Sequence, residues 1–91
     1  MKTLHLVIKR KWFDMIASGE KLEEYREMTN YWKKRIWNKR SVIGYVIFHR
    51  GYTNVTIKCF LHYVAIMKGY EKWGAEPGKT YYVLRISKYE D

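Results

Sequence analysis

The stretch Gly19-Glu20-Lys21-Leu22-Glu23-Glu24-Tyr25-Arg26 changes periodicity within a few residues. Just before it, Trp12, Phe13, Ile16 and Ala17 recur at helical spacing, which predicts a helix over 11–18. Gly19 ends that helix, because glycine takes up the left-handed conformation of a C-cap without steric cost. Lys21 follows on the exit turn, and 21–26 reads as extended around the β-compatible Tyr25. In an extended segment Glu24 and Arg26, two residues apart, project to one face. Two outcomes are open. In a site, Arg26 offers a planar fork to phosphate or a base edge and Lys21 adds a point charge. Glu24 then orients Arg26, accepts from an exocyclic amine or acts as a general base. Otherwise Glu24 and Arg26 form a structural ion pair beside an exposed Lys21. Convergence on one open pocket favours the site; burial of Glu24 with Arg26 away from any cavity favours the pair.

Outward from this segment, Leu4, Leu6 and Ile8 alternate and predict a first strand over 4–8. Thr29 or Asn30 is placed to cap a second short helix over 31–37. The run 42–49 is an apolar strand, Gly51-Tyr52-Thr53-Asn54 a turn, and 55–67 a strand long enough to require a bend or bulge. Glu76-Pro77-Gly78-Lys79 predicts a turn into a closing strand over 80–87, with Tyr82, Leu84 and Ile86 alternating. The order β-α-β-α-β-β-β predicts an α+β domain, a mixed and barrel-like sheet with two short helices. Ninety-one residues without linker or repeat make it a single domain over 1–91. A chain this short needs dense apolar packing, and an aromatic content of 18% supplies it.

At Gly19-x-Lys21-x-x-Glu24-x-Arg26 the chain resembles the ASCH family, a group of small domains related to the PUA fold. The helix Trp12-to-Gly19 before the motif and Pro77-Gly78 before Tyr81-Tyr82-Val83-Leu84 extend the resemblance over nearly the whole chain. It implies a PUA-like β-barrel that binds RNA or a nucleotide in a cleft between helix and barrel, lined by Lys21, Glu24 and Arg26. One enzymatic branch of the family removes the acyl group of N4-acetylcytidine with Lys, Thr and Glu. Here Lys21 matches, Glu24 stands where that branch keeps its threonine, and only Glu71 and Glu76 are acidic candidates for the later glutamate. Another class cleaves RNA with basic and tyrosine residues, for which Lys21, Tyr25 and Arg26 are the candidates. If the domain is an enzyme, Lys21 and Glu24 are its catalytic pair.

The charge agrees with an anionic partner. Of a net +9, nearly all lies in residues 28–70, which contain no acidic residue and hold Lys33, Lys34, Arg35, Lys39, Arg40, Arg50, Lys58 and Lys68. Tyr31, Trp32, Trp37, Tyr45 and Tyr52 interleave with them, and aromatic and basic groups together suit stacking plus phosphate contact. Trp32 and Ile36 share a helical face that reads as core; Trp37, one position round, is the stacking candidate. The RNA-binding set is therefore Lys21, Glu24, Tyr25, Arg26, Trp37, Lys33, Lys34, Arg35, Lys39 and Arg40. A basic face meeting an acidic protein is the alternative. His5, His49 and His62 lie in strand-like runs and read as structural, with His5 and His49 near strand ends beside the cleft. The single Cys59 reads as a buried thiol. No cluster has metal-ligand spacing, no phosphate loop or cofactor motif appears, and no apolar run approaches a membrane span. These features predict a cytoplasmic protein without metal, cofactor or membrane contact.

Overall fold

The computed structural model describes residues 1–89. Its elements run β1 (Lys2–Ile8), α1 (Arg10–Ala17), β2 (Glu23–Arg26), α2 (Asn30–Arg35), β3 (Ile43–Arg50), β4 (Thr56–Lys68) and β5 (Thr80–Lys88). Short 3-10 turns lie at Trp37–Lys39 and Glu71–Trp73. The expected order is found, with element ends moved by one or two residues. The second helix is shorter than its periodicity suggests, passing into a 3-10 turn after Ile36.

Local chemistry accounts for the ends. Gly19 leaves α1 at φ 85°, the left-handed conformation the C-cap requires. Thr29 caps α2, its hydroxyl accepting from the Trp32 amide at 3.3 Å. Helix α1 has no side-chain cap, so its eight residues depend on burying Phe13 and Ile16.

The five strands form one sheet in the order β1-β3-β4-β5-β2. β1 runs parallel to β3, the crossover holding α1, β2 and α2; the other pairings are antiparallel. The register of β4 against β5 shifts between Leu61 and Tyr63, the irregularity its length demanded. The sheet curves as a half-barrel around Leu6, Ile8, Val46, Phe48, Cys59, Leu84 and Ile86. Phe13 and Ile16 of α1 and Ile36 after α2 fill its concave side. Each such side chain contributes about 2 kcal/mol by leaving water.

Strand β5 departs from simple alternation. Tyr81, Tyr82, Val83 and Leu84 are all buried, because Tyr25 and Ala75 cover Tyr81 and Val83 on the convex side. Gly69 makes that cover close: a Cβ there would lie 2.5 Å from the Tyr25 ring and 2.8 Å from the Ala75 methyl. Gly69→Ala is therefore expected to lower stability by about 1–3 kcal/mol, the cost of overpacking, in a denaturant melt.

Cys59 is fully buried, and burial pushes its thiol up to about 11. The folded state keeps this proton while the unfolded chain loses it above 9.0. Stability is thus present below pH 9 and falls as pH rises towards 11, by about 2 kcal/mol from this group. A thiol reagent at neutral pH should label the protein only on unfolding.

Candidate functional site

The motif residues meet, and they meet inside the protein. The Lys21 side chain is enclosed completely, donating to the Glu23 carbonyl and standing 3.2 Å from Oε1 of Glu24. Oε2 of Glu24 accepts from Nη2 of Arg26 at 2.7 Å. The same nitrogen donates to the Val7 carbonyl at 3.2 Å. One carboxylate, itself nearly buried, thus holds two cations from the two ends of the motif.

Position in the sheet gives this chain of bonds its meaning. β1 and β2 are the two edge strands, and they share no ladder. The Arg26 side chain bridges them instead, from β2 to the backbone of β1. Its guanidinium also lies 5.0 Å from the Trp32 ring, so α2 is tied to the same seam. Lys21 is likewise faced by aromatic rings, Tyr25 at 4.9 Å and Trp12 at 5.8 Å. Burial lowers the Lys21 pKa, and the Glu24 carboxylate opposes that shift.

The expectation of Lys21 as an open point charge on the exit turn is corrected: its side chain is enclosed. The reason is geometric. The chain turns inward after Gly19, and the Lys21 amide bonds to the Met15 carbonyl at 2.9 Å, which commits the side chain to the interior. Lys21 does lie along a groove of about 300 Å³ with Ile16, Gly19, Leu22, Ile86, Ser87 and Lys88; Glu24 and Arg26 do not line it. Tyr25 spends its hydroxyl inside the fold, donating to Glu23 at 2.8 Å and accepting from the Tyr70 amide at 2.9 Å. Burial raises its pKa.

Comparison of the chain with protein-family models, curated proteins and solved structures finds no match in any of the three.

The candidates of the second helix lie elsewhere and are open to solvent. Lys33, Lys34, Arg35, Lys39 and Arg40 are all exposed. Arg35, Lys39, Lys2, Thr3, Leu4, His5 and Ile43 line a groove of about 320 Å³ along the free edge of β1. A second depression of about 440 Å³, lined by Asn30, Tyr31, Lys34, Arg35 and Lys39, shares two of those residues. Together they make one trough with four cations and no acidic residue in its lining. Trp37 is not a free platform as expected: its ring stacks on Tyr82 at 5.8 Å, with the Arg40 guanidinium 3.9 Å from it. Trp32 packs against the core and Ile36 is wholly buried, as their shared face predicts.

His5 and His49 do not act singly. Nδ1 of His5 and Nε2 of His49 share a hydrogen bond of 2.9 Å on the convex side of the sheet, and His5 reaches the β1 trough. Glu71 and Glu76 are exposed, Glu76 3.9 Å from Lys79. Among the described residues no group of three His, Cys, Asp or Glu is placed to hold a metal ion, and no helix is long and apolar enough to cross a membrane.

Sequence reasoning overlooked Lys2 and the contribution of β1. The available signal was the period of two: Thr3 and His5 alternate with the core-facing Leu4 and Leu6 and so share the opposite face.

Proposed function

We propose that this is an RNA-binding domain of ASCH, PUA-like type whose basic trough along α2 and β1 takes the phosphate backbone of a single strand. The observation that carries the reading is the trough itself, where Lys2, Lys34, Arg35 and Lys39 converge with no carboxylate to neutralise them. Each phosphate it holds releases condensed counterions, so affinity must fall with salt. The motif at 19–26 supports the ASCH-like reading by its place directly after the first helix, and Lys21, Glu24 and Arg26 serve this function as the frame that closes the β1–β2 seam.

The test is fluorescence anisotropy with a labelled single-stranded oligoribonucleotide between 50 and 200 mM salt. Lys34→Ala/Arg35→Ala/Lys39→Ala should flatten the slope of log affinity against log salt by about 2, roughly 0.7 per lost phosphate contact. The melting temperature should stay near that of the parent, since the three side chains are exposed. Absence of binding at low salt, or an unchanged slope in the variant, rejects the proposal.

A second reading, a small hydrolase acting on a modified nucleoside or on RNA, rests on one observation. Lys21 has a lowered pKa, lies 3.2 Å from a carboxylate and borders a groove. Its enclosure counts against it, because a substrate would have to reach a side chain with no exposed surface. Turnover of acylated cytidine or single-stranded RNA that disappears in Lys21→Ala is the result it requires.

A further inference from the structure

The convex face of the sheet carries a second aromatic cluster, separate from the motif and from the helices. Strands with one face in the core present every other residue outward, and β3 and β4 present Tyr45, Lys58 and Phe60. The Tyr45 and Phe60 rings lie 5.7 Å apart, and Tyr89 completes the cluster at 5.0 Å from Phe60 and 5.9 Å from Tyr45. Nζ of Lys58 sits above two of these rings, 4.2 Å from Tyr45 and 4.4 Å from Tyr89. None of the three rings is buried, and neither β3 nor β4 contains an acidic residue.

Register joins this cluster to the trough. Thr3, which lines the trough, is the cross-strand partner of Tyr45; Tyr45 is the partner of Phe60, and Phe60 of Ser87. The row runs without a break over four strands. At about 4.8 Å per strand it is roughly 14 Å long, which gives room for two or three bases to lie across the strands.

We infer that the convex sheet face is a base-stacking platform for single-stranded RNA, continuous with the α2–β1 trough around the edge of β1. Tyr45, Phe60 and Tyr89 meet the bases, and Lys58 meets a phosphate between them. This rests on the reading of the trough as a phosphate site for a single strand and adds to it the surface that holds the bases and the means of contact. Aromatic faces accept any base, so the platform selects unpaired strands over duplex and not one sequence over another. An acidic protein would find charge on this face but little use for three partly exposed rings around one lysine.

The experiment compares a labelled oligouridylate with an RNA duplex of equal length, on the parent protein and on Tyr45→Leu/Phe60→Leu, which keeps apolar bulk beneath the surface. The variant should bind the single strand about tenfold more weakly or worse, the loss expected for removed stacking partners. Its salt slope should equal that of the parent, and its duplex affinity should not change. Tyr89→Leu, at the edge of the cluster, repeats the test should the double variant melt early. Unchanged single-strand affinity in these variants, with loss in Lys34→Ala/Arg35→Ala/Lys39→Ala, overturns the platform and leaves the trough standing. Equal losses for single strand and duplex, or displacement of the oligouridylate by polyglutamate that depends on Phe60, also overturn it. If the parent shows no salt-dependent binding at all, trough and platform fall together.

Discussion

Glu24→Gln is expected to cost this domain about 3–5 kcal/mol, the loss seen when one partner of a buried ion pair is removed. The size follows from what remains. Lys21 has no exposed side-chain surface, and Glu24 is the carboxylate standing 3.2 Å from its ammonium. Arg26, with its side chain only 17% exposed, loses the same partner at 2.7 Å. A buried ammonium and a largely covered guanidinium would then face each other across a neutral amide. In a chain of 91 residues that loss is a large part of the total stability. Lys21→Met/Glu24→Gln should recover much of it, since the most deeply enclosed charge is then absent. The pH dependence has a definite sign. Burial depresses the Lys21 pKa, so below 10.5 the unfolded chain holds this proton more tightly than the folded one. Stability from this group therefore rises with pH as Lys21 deprotonates. Removing Glu24 deepens the depression. The gap between parent and Glu24→Gln should narrow as pH rises, whereas the alkaline losses from Cys59 and Tyr25 are common to both and cancel. Chemical denaturation at a series of pH values reads this difference; a gap of under 1 kcal/mol at neutral pH would show that the triad holds nothing together.

These residues also mark where the sequence stops being legible. Gly19 at φ 85°, the Thr29 cap, the Leu4-Leu6-Ile8 face and the irregular β4 are local effects, each set by a residue and its near neighbours, and each was readable. That Glu24 and Arg26 would meet was readable too, from a spacing of two in extended chain. The burial of Lys21 was not. A lysine after a helix cap belongs in water unless other side chains enclose it, and Trp12, Tyr25 and Glu24 do so only once α1 and β2 have packed onto the curled sheet. The bond from Arg26 to the Val7 carbonyl spans the sheet edges, which no periodicity announces. Trp37 was misjudged for a related reason: helical spacing turns it away from Ile36, but its neighbour Tyr82 comes from the closing strand. The trough was half legible, through the acid-free run of residues 28–70, while its β1 wall needed the parallel pairing of β1 with β3.

Arg26→Met should open the seam between β1 and β2 and lower stability by about 3 kcal/mol, less than Glu24→Gln because Glu24 keeps Lys21 as its partner. Three contacts go at once: the Glu24 carboxylate, the Val7 carbonyl and the face of Trp32. The last contributes about 1 kcal/mol of the total. Nε of Arg26 is buried without an acceptor among the described residues, a cost that methionine removes and that keeps the net loss moderate. Arg26→Lys restores a charge for Glu24 but not the planar fork, so its stability should fall between the parent and Arg26→Met. Hydrogen exchange distinguishes a seam from a mere ion pair. Opening should reach the β1 amides and those of α2, which the guanidinium ties together through Val7 and Trp32, and should leave the central β3–β4 ladder protected. Uniform acceleration over all five strands would mean that Arg26 supports the whole core and not its closure. Because the guanidinium ties β1 to α2 through Val7 and Trp32, an opened seam would also move β1 relative to α2. If the trough takes RNA as proposed, affinity in Arg26→Met should then fall with the salt slope largely kept, since Lys2, Lys34, Arg35 and Lys39 all remain. A variant that loses both affinity and slope would instead place Arg26 itself against a phosphate.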